Sequence, residues 1–454
     1  MENTAMQKYF DGPLKVHPQN PRYFTDRRGK AIYLTGAHTW ENLQDFILPG
    51  KPSFDYQEYL DFMEKYHHNF MRMWIWEHSA WMAGSEEKYQ LDPLPYLRTG
   101  PGTALDGFPK YDLSQWNESF FQRLRQRVIQ AGARGIYVSI MLFQGWSVKK
   151  PWLPGNPWKG HPYHRDNNIN SIDGDNNSDG AADIHCMDIP SIVSLQEALI
   201  RKIIDTVNDL DNVLYEIINE APGEDRTVFW QAYLASYIHQ YESQKPNQHP
   251  VGITPSGNWL EKYMLFTGPA DWVSPTYLMD HAYFENPPAA DGSKVILNDT
   301  DHVENQLKVT YQWVWRCFLR GHHPVFMDPW KDEIFCGAAT QTPEFRNRLE
   351  FIYKNMGYSL EIANHVNLAE MLPHNDISAT GYCLAHPGEE YLVYFPQGGC
   401  AGVDLSDTAG RFSVTWFDPV RGKTLSAADV SGGFQTAFTA PFENDAVLHL
   451  RKVK

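Results

Sequence analysis

The feature that most constrains this chain is a series of eight short apolar segments that mostly alternate with helical segments. The predicted strands are residues 31–36, 69–77, 135–143, 212–220, 249–254, 271–277, 294–301 and 323–328. The predicted helices are residues 54–66, 115–133, 190–210, 227–242, 303–320 and 342–363. Eight such units predict an α/β fold, a parallel (β/α)8 or TIM barrel, rather than an open doubly wound sheet. The usual nucleotide-binding signal of the open-sheet class is missing, because no Gly-x-Gly-x-x-Gly or Walker-type loop occurs.

The hydrophobic pattern of the sequence changes after about Pro373. Short apolar runs separated by Gly- and Asp-rich turns replace the helical spacing, which predicts a small antiparallel β-sandwich. The predicted strands are residues 382–384, 390–395, 402–405, 412–417, 433–439 and 446–450. We therefore predict two domains, a catalytic barrel over residues 1–372 and a β-sandwich over residues 373–454.

Charge and hydropathy exclude several classes of partner. The formal net charge of −16 argues against a nucleic-acid or anionic-membrane partner. No run of about eighteen apolar residues occurs, so no membrane span is expected. Residues 1–12 lack the apolar core of a signal peptide, and the five scattered cysteines are typical of free thiols. We expect a cytoplasmic location, with a secreted mature form, its signal already removed, as the alternative.

The segment from Asn212 to Glu220 reads Asn-Val-Leu-Tyr-Glu-Ile-Ile-Asn-Glu and is the best candidate for a catalytic strand. It is apolar until it ends on Asn219 and Glu220, and residues 221–223, Ala-Pro-Gly, stop it there. A carboxylate at the C-terminal end of a barrel strand occupies the position where such barrels place their chemistry. The alternative is a buried Glu tied into a polar network of the core.

The run Val-Leu-Tyr-Glu-Ile-Ile-Asn-Glu-Ala-Pro over residues 213–222 resembles the fourth-strand motif of clan A glycoside hydrolases, especially the family 5 cellulase-like enzymes. The resemblance implies that Glu220 is the general acid/base and that Asn219 holds the sugar 2-hydroxyl. The C-terminal pattern resembles the domain called "putative collagen-binding" that follows apiosidase-like and related barrel hydrolases. For that domain we expect a role in supporting the barrel before a role in glycan binding.

Strand seven departs from the clan pattern, in which its end carries a nucleophilic Glu. The matching segment contains Asp299 and Asp301 but no Glu. Both aspartates share parity with Val295 and Leu297, so the pattern predicts all of these side chains on one face, with Asp301 nearer the barrel lip. Retaining enzymes hold their carboxyls about 5–5.5 Å apart and inverting ones roughly 6.5–9.5 Å. An Asp is one methylene shorter than a Glu, which favours inversion or loss of the clan chemistry, while the resemblance implies retention.

Two further positions are inferred from the resemblance. Arg72 matches the strand-two arginine beside the clan nucleophile, and a strand-seven Asp is its expected partner. Tyr277 matches the strand-six position that orients the nucleophile. Asp328, at the end of strand eight, is either a substrate contact or a turn-initiating Asp before Pro329.

Five Trp residues at the ends of predicted strands indicate a sugar-binding face, since aromatic rings stack on sugars. The predicted substrate contacts are His38, Trp40, Arg72, Trp74, Trp76, Glu77, Trp146, Asn219, Tyr277, His302, Asp328 and Trp330. Two long loops, residues 78–113 and 144–189, follow strands two and three and are expected to form a wall of the site. That wall favours a pocket and an exo-acting enzyme.

No metal or cofactor is expected. Residues 175–180 imitate the start of a calcium loop, but its twelfth position is Cys186 rather than Glu. The His pairs at 67–68 and 322–323 are adjacent rather than spaced for a metal. The sequence thus predicts a glycosidase acting on an oligosaccharide or glycoside. A non-catalytic carbohydrate-binding barrel is the alternative, and an isomerase or lyase on the same fold ranks third.

Overall fold

The computed structural model describes residues 9–453 apart from 83–86, 146–147, 149–153, 179–181, 256–263, 276–281, 303–308, 329 and 331–341. Eight of its strands form one parallel sheet. We call them barrel strands one to eight: Gly36–His38, Phe70–Trp74, Tyr137–Gln144, Val213–Asn219, Val251–Ile253, Trp272–Val273, Val295–Asp299 and His323–Met327. Their order in the sheet is one, eight, seven, six, five, four, three, two, so chain neighbours are sheet neighbours. This nearly closed arrangement confirms the predicted TIM-type barrel.

Helices follow most of the barrel strands, as predicted. They are Tyr56–Lys65, Glu118–Gly132, Pro190–Val207, Asp225–Glu242, Ala282–Glu285, Tyr311–Leu319 and Pro343–His365, with short 3-10 helices at Pro157–Gly160 and Thr300–His302. Glu118–Gly132 begins later than predicted because Asn117 caps it, accepting a hydrogen bond from Ser119 N. Pro343 opens the last helix, where its missing N–H costs nothing.

The predicted first strand was wrong. Residues 31–36 do not form one barrel strand: Ala31–Ile32 belongs to a small antiparallel sheet with Lys15–Val16 and Phe24–Thr25. Side chains bind the backbone between these two strands, since Leu34 N donates to His323 Nδ1 at 2.8 Å and Thr35 N donates to Asn69 Oδ1 at 2.9 Å. The barrel strand begins only at Gly36.

Two side-chain amides in the segment after barrel strand one bind backbone groups at the end of barrel strand two and just beyond it. Asn42 Nδ2 donates to Arg72 O at 2.6 Å, and its Oδ1 accepts from Trp74 N at 3.0 Å. Gln44 does the same to both backbone groups of Trp76, at 3.0 and 2.7 Å. These amides take the place of a backbone partner and fix the direction in which the end of strand two leaves the barrel.

The two long loops carry structure of their own, which the sequence analysis did not predict. The first contains the strands Gln90–Asp92, Tyr96–Thr103 and Pro109–Trp116, of which the last two pair as an antiparallel hairpin. Gln90–Asp92 pairs with Asp45–Ile47. Both loops contribute to one buried apolar cluster, whose members include Leu94, Tyr96, Tyr111, Leu113, Val148, Trp158, Tyr163 and Ile184. The predicted walls are therefore a packed layer rather than bare loops.

The C-terminal region is an antiparallel β-sandwich, as predicted. Its strands are Leu372–Pro373, Cys383–His386, Glu390–Phe395, Cys400–Asp404, Arg411–Asp418, Lys423–Ser431, Gln435–Thr439 and Ala446–Lys452. Six form one sheet, and Cys400–Asp404 pairs with Gln435–Thr439 in a second. Side chains of both sheets share a buried core. Lys423–Ser431 was missed because almost all of it is exposed, which removes the apolar alternation.

The chain divides into two compact units, of residues 1–14, 38–62 and 70–277, and of residues 15–37, 63–69 and 278–454. Within the second unit, the β-sandwich shares an apolar core with two helices of the barrel. Trp315 and Leu360 of those helices pack in one cluster with Leu392 and Tyr394 of the sandwich. Asp445 accepts hydrogen bonds from Tyr311 at 2.7 Å and Tyr394 at 2.8 Å. The boundary between residues 372 and 373 stays a prediction.

A search of the described helices for a bilayer-crossing segment finds none of sufficient length and apolar character.

Candidate active site

Barrel strand four delivers Glu220 to the C-terminal edge of the sheet. Val213–Asn219 is buried throughout, and Glu220 immediately after it is half-buried. Glu220 has a φ of +43°, a left-handed conformation that is uncommon for a residue other than glycine. Ala221 is buried again. The strand thus ends on a turn that holds one partly accessible carboxylate in a strained conformation, a feature that clusters at functional sites.

Arg72 is held by strand four. Its Nε donates to Glu216 Oε2 at 2.8 Å, its Nη2 donates to Glu216 Oε1, and Nη2 also donates to Asn219 Oδ1 at 2.9 Å. The Arg72 and Glu216 side chains are 3% and 0% exposed. A strand-seven Asp was the expected anionic partner of Arg72, but the carboxylate that Arg72 binds is Glu216 of barrel strand four, across strand three in the sheet. The arginine fixes the orientation of the Asn219 amide, next to Glu220.

Aromatic residues line the end of barrel strand two, but their rings are covered. Trp74 stacks on Trp76 with a centroid separation of 5.4 Å, and its Nε1 donates to His38 Nδ1 at 3.0 Å. Trp76 Nε1 donates to Trp40 O at 2.9 Å. Trp74 and Trp76 are 2% and 1% exposed. Both rings pack beneath the strand ends, and their predicted contact with substrate stays a prediction. His38 is also buried, and Trp40 is nearly so.

Glu77 is a buried carboxylate between two histidines. Its Oε2 accepts from His185 Nε2 at 3.1 Å and from Gln144 N at 2.8 Å, and its Oε1 lies 3.5 Å from His161 Nε2. Burial alone raises the pKa of a carboxyl, but His185 and then His161 outweigh it and lower the pKa of Glu77 to about 2. Burial also lowers the pKa of His161. Glu77 thus ties the second long loop to the end of strand two, and its predicted contact with substrate stays a prediction.

Asp299 lies on barrel strand seven, as predicted, but Asp301 does not. Barrel strand seven ends at Asp299, and Asp301 lies in the 3-10 turn Thr300–His302. The alternation of faces does not extend into that turn. Asp299 is 1% exposed and its Oδ1 accepts Asp301 N at 2.9 Å, whereas Asp301 is half-buried. Asp299 therefore fixes the turn on which Asp301 lies.

Asp328 follows barrel strand eight and shapes the next turn. Its Oδ1 accepts from Trp330 N and from the Tyr353 hydroxyl, each at 2.8 Å, and the residue is fully buried. Trp330 is half-buried with a φ of +52°. The turn-initiating role considered for Asp328 is thus observed. Contact of Asp328 or Trp330 with substrate stays a prediction.

Three predicted contacts fall outside the described part of the molecule. Trp146 and Tyr277 are not among the described residues, and neither is the side chain of His302. Their predicted roles stay predictions.

Glu216, His161 and His185 were not predicted from the sequence. Glu216 lies inside an apolar strand, four residues before Glu220, and a buried acidic residue there needs a cationic partner. That signal was available, and Arg72 is the matching cation. The histidines lie in the second long loop, where no sequence period points to Glu77, so no comparable signal existed.

In the described part of the chain, no group of three or more His, Cys, Asp or Glu side chains is arranged to hold a metal ion. Positions 179 and 180 of the calcium-like segment lie outside the described residues. His68 and His323 bind backbone groups instead, namely Tyr353 O at 3.1 Å and Leu34 N at 2.8 Å.

Two family models match parts of the sequence. The one described as "Domain of unknown function (DUF6298)" matches residues 85–258, which include most of the first long loop, the second long loop and barrel strand four. The one described as "Putative collagen-binding domain of a collagenase" matches residues 369–451, the β-sandwich. No curated protein matches the sequence.

Several solved structures are similar to this chain over nearly its whole length. One, described only as a glycoside hydrolase, is 14% identical with a TM-score of 0.61, over 97% of each chain. A family 5 glycoside hydrolase from Bacteroides vulgatus ATCC 8482 is 13% identical with a TM-score of 0.63, over 97% of this chain and 93% of that one. The chain therefore has the fold of family 5-like glycoside hydrolases, a barrel followed by a β-sandwich, which confirms the resemblance at the level of fold.

Proposed function

We propose that this protein is a glycoside hydrolase that cleaves an O-glycosidic bond, with Glu220 as general acid/base. The observation that carries the proposal is the strand-four terminus, where a partly accessible Glu is held at φ +43° beside an Asn fixed by Arg72. Such strain is retained where the surrounding structure over-determines it, and sites of chemistry are where it clusters. The fold shared with glycoside hydrolases supports the reaction class without assigning residues.

In the proposed reaction, the Glu220 carboxyl protonates the glycosidic oxygen as the bond from that oxygen to the anomeric carbon breaks. Asp301 supplies the second carboxylate, before Asp299, because Asp301 is half-buried while Asp299 is engaged by the turn. In a retaining reaction Asp301 attacks the anomeric carbon, and water activated by ionised Glu220 then releases the sugar. In an inverting reaction Asp301 takes a proton from the attacking water instead. We favour retention.

The substrate we propose is a short glycan or glycoside, bound end-on in a pocket. The two long loops support this proposal because they are packed together at the end of strands two and three. Ser79 N donates to Gly160 O at 3.0 Å, and a Cβ at Gly160 would lie 2.8 Å from Ala80 N. Release of monosaccharides from chain ends is the expected product pattern, and internal fragments at early times would contradict it.

The test of Glu220 uses substrates that differ in their need for an acid. Glu220→Gln is expected to lower kcat/KM by about 10²–10⁴-fold on alkyl glycosides, whose leaving oxygen must be protonated. On dinitrophenyl glycosides, whose leaving group departs without a proton, the loss in the bond-breaking step is expected to be much smaller. Glu118→Gln, at an exposed helix terminus, is the control and is expected to behave as wild type. Equal losses on both substrate classes would contradict the assignment.

The second carboxylate is tested separately. Asp301→Asn is expected to abolish turnover, and NMR of the first-formed anomer distinguishes retention from inversion. If Asp301→Asn and Asp299→Asn both stay near wild type while Asp328→Asn is inactive, strand eight supplies the partner instead. A wild type that binds oligosaccharides but cleaves none across a broad panel would support the carbohydrate-binding alternative, which the missing strand-seven Glu favours.

A further inference from the structure

The Glu77 carboxylate continues the backbone pairing of barrel strand three beyond the end of strand two. The register of these strands ends with Met141 opposite Trp74, so Gln144 lies beyond the last pair. Glu77 Oε2 accepts the Gln144 N–H at 2.8 Å and replaces a strand partner. His185 at 3.1 Å and His161 at 3.5 Å hold the carboxylate from the second long loop.

The other edge of strand three contacts the turn that carries Glu220. Gln144 is opposite Asn219 in the register of strands three and four, and Gly145 N donates to Asn219 O at 2.8 Å. A Cβ on Gly145 would lie 2.5 Å from Glu220 O and 2.9 Å from Ala221 Cα. The Glu220 backbone thus rests directly on Gly145, and an added methyl group would displace it.

We propose that Glu77 is a positioning residue for Glu220, acting through the Gln144–Gly145 backbone. The inference rests on the proposed function of Glu220. Glu77 fixes Gln144, and Gly145 is the surface against which the strained Glu220 turn is held. His185 and His161 of the second long loop hold the Glu77 carboxylate. Glu77 therefore links that loop to the backbone that supports Glu220.

The groups around Glu77 support a fixed charge rather than a titrating one. His185, His161 and, behind it, His78 lie around the carboxylate, and burial lowers the pKa of His78 to about 3. The neighbouring Gln144 contributes its N–H. With its pKa at about 2, the Glu77 carboxyl stays ionised across the neutral range, as a positioning residue requires.

The test compares two ways of disturbing the anchor. Glu77→Gln weakens the hold on Gln144, and Gly145→Ala pushes directly on the Glu220 backbone. Both are expected to lower kcat/KM by about 10–10²-fold on alkyl glycosides and far less on dinitrophenyl glycosides, because a misplaced acid matters only where a proton is needed.

The controls reproduce the chemical changes away from Glu220. Glu242 is another buried Glu bound by a histidine, with Oε1 2.8 Å from His249 Nδ1. Glu242→Gln is expected to reduce stability without changing the ratio of the two substrate classes. Gly402→Ala meets only the side-chain end of Gln435 at 3.0 Å, and is expected to behave as wild type.

Crystal structures of wild type, Glu77→Gln and Gly145→Ala complete the test without relying on turnover. The Glu220 carboxyl is expected to shift in both variants relative to barrel strand four. If wild type is active, but the variants keep its leaving-group ratio and an unmoved Glu220, the positioning role is refuted and the proposed function stands. If wild type cleaves nothing, the proposed function fails, and an unmoved Glu220 would refute the positioning role as well.

Discussion

The buried pair of Arg72 and Glu216 gives a prediction whose size follows from the structure. The two side chains are 3% and 0% exposed, and the guanidinium binds both carboxylate oxygens. Replacing one partner leaves an uncompensated buried group, which typically costs about 3–5 kcal/mol. We therefore expect Glu216→Gln to lower the free energy of unfolding by roughly 3 kcal/mol, since Gln keeps the shape and one acceptor but loses the charge.

The double variant separates the charge from the packing. Arg72→Met with Glu216→Leu removes both charges and is expected to recover most of the loss, because no unpaired ion remains. Urea unfolding followed by tryptophan fluorescence measures each variant. Arg125 and Asp209 provide the control, since they pair through two hydrogen bonds of 2.6 and 2.8 Å but are 38% and 64% exposed. Such surface pairs contribute about 0–1 kcal/mol. If Glu216→Gln costs no more than Asp209→Asn, the buried pair does not stabilise the barrel as argued.

Three further predictions concern the folded state. Four buried histidines have their pKa lowered by burial to about 3–4, below the unfolded value of 6.5. These histidines therefore take up protons at a higher pH in the unfolded chain than in the folded one. The free energy of unfolding should fall as the pH drops below about 6.5, by up to about 1.4 kcal/mol per pH unit for each histidine. A urea midpoint that stays constant from pH 7 to pH 5 would contradict this. These histidines are His68, His78, His322 and His323. Gly252→Ala would place a Cβ 1.9 Å from the Trp272 ring, so it should cost about 1–3 kcal/mol in urea unfolding, with Gly402→Ala near wild type. A chain ending at residue 372 should be insoluble on expression, because the core around Trp315 then lacks Tyr382, Leu384, Leu392, Tyr394 and Val447. A soluble, cooperatively unfolding barrel would refute the supporting role of the β-sandwich.

The barrel could be predicted because its strands are buried on both faces and read as apolar runs. Val213–Asn219 and Tyr137–Gln144 lie within one or two residues of their predicted bounds. The first strand could not be located in the same way. Leu34 and Thr35 are apolar enough to continue a strand, but His323 and Asn69 bind their backbone groups. Those partners are distant in sequence, and no local pattern encodes them.

The residues of the candidate site likewise divide into those with a local sequence signal and those without one. Glu220 could be predicted because strand propensity stops abruptly at a carboxylate, which is a local signal. The partner of Arg72 lies on strand four, across strand three in the sheet, and the fold rather than a local pattern brings the two side chains together. Asp301 was placed by alternation, an argument that fails once the chain leaves the strand at Asp299 and enters a 3-10 turn.

The β-sandwich shares one apolar core with the helices Tyr311–Leu319 and Pro343–His365. This shared core limits where such a protein can be cut when chimeras are made. A graft cut at the domain boundary would carry only the β-sandwich side of this shared apolar core and expose Tyr394 and Leu392 to water. A chimera should therefore exchange those two helices together with the sandwich, or rebuild the residues around Trp315 to match the incoming sheet.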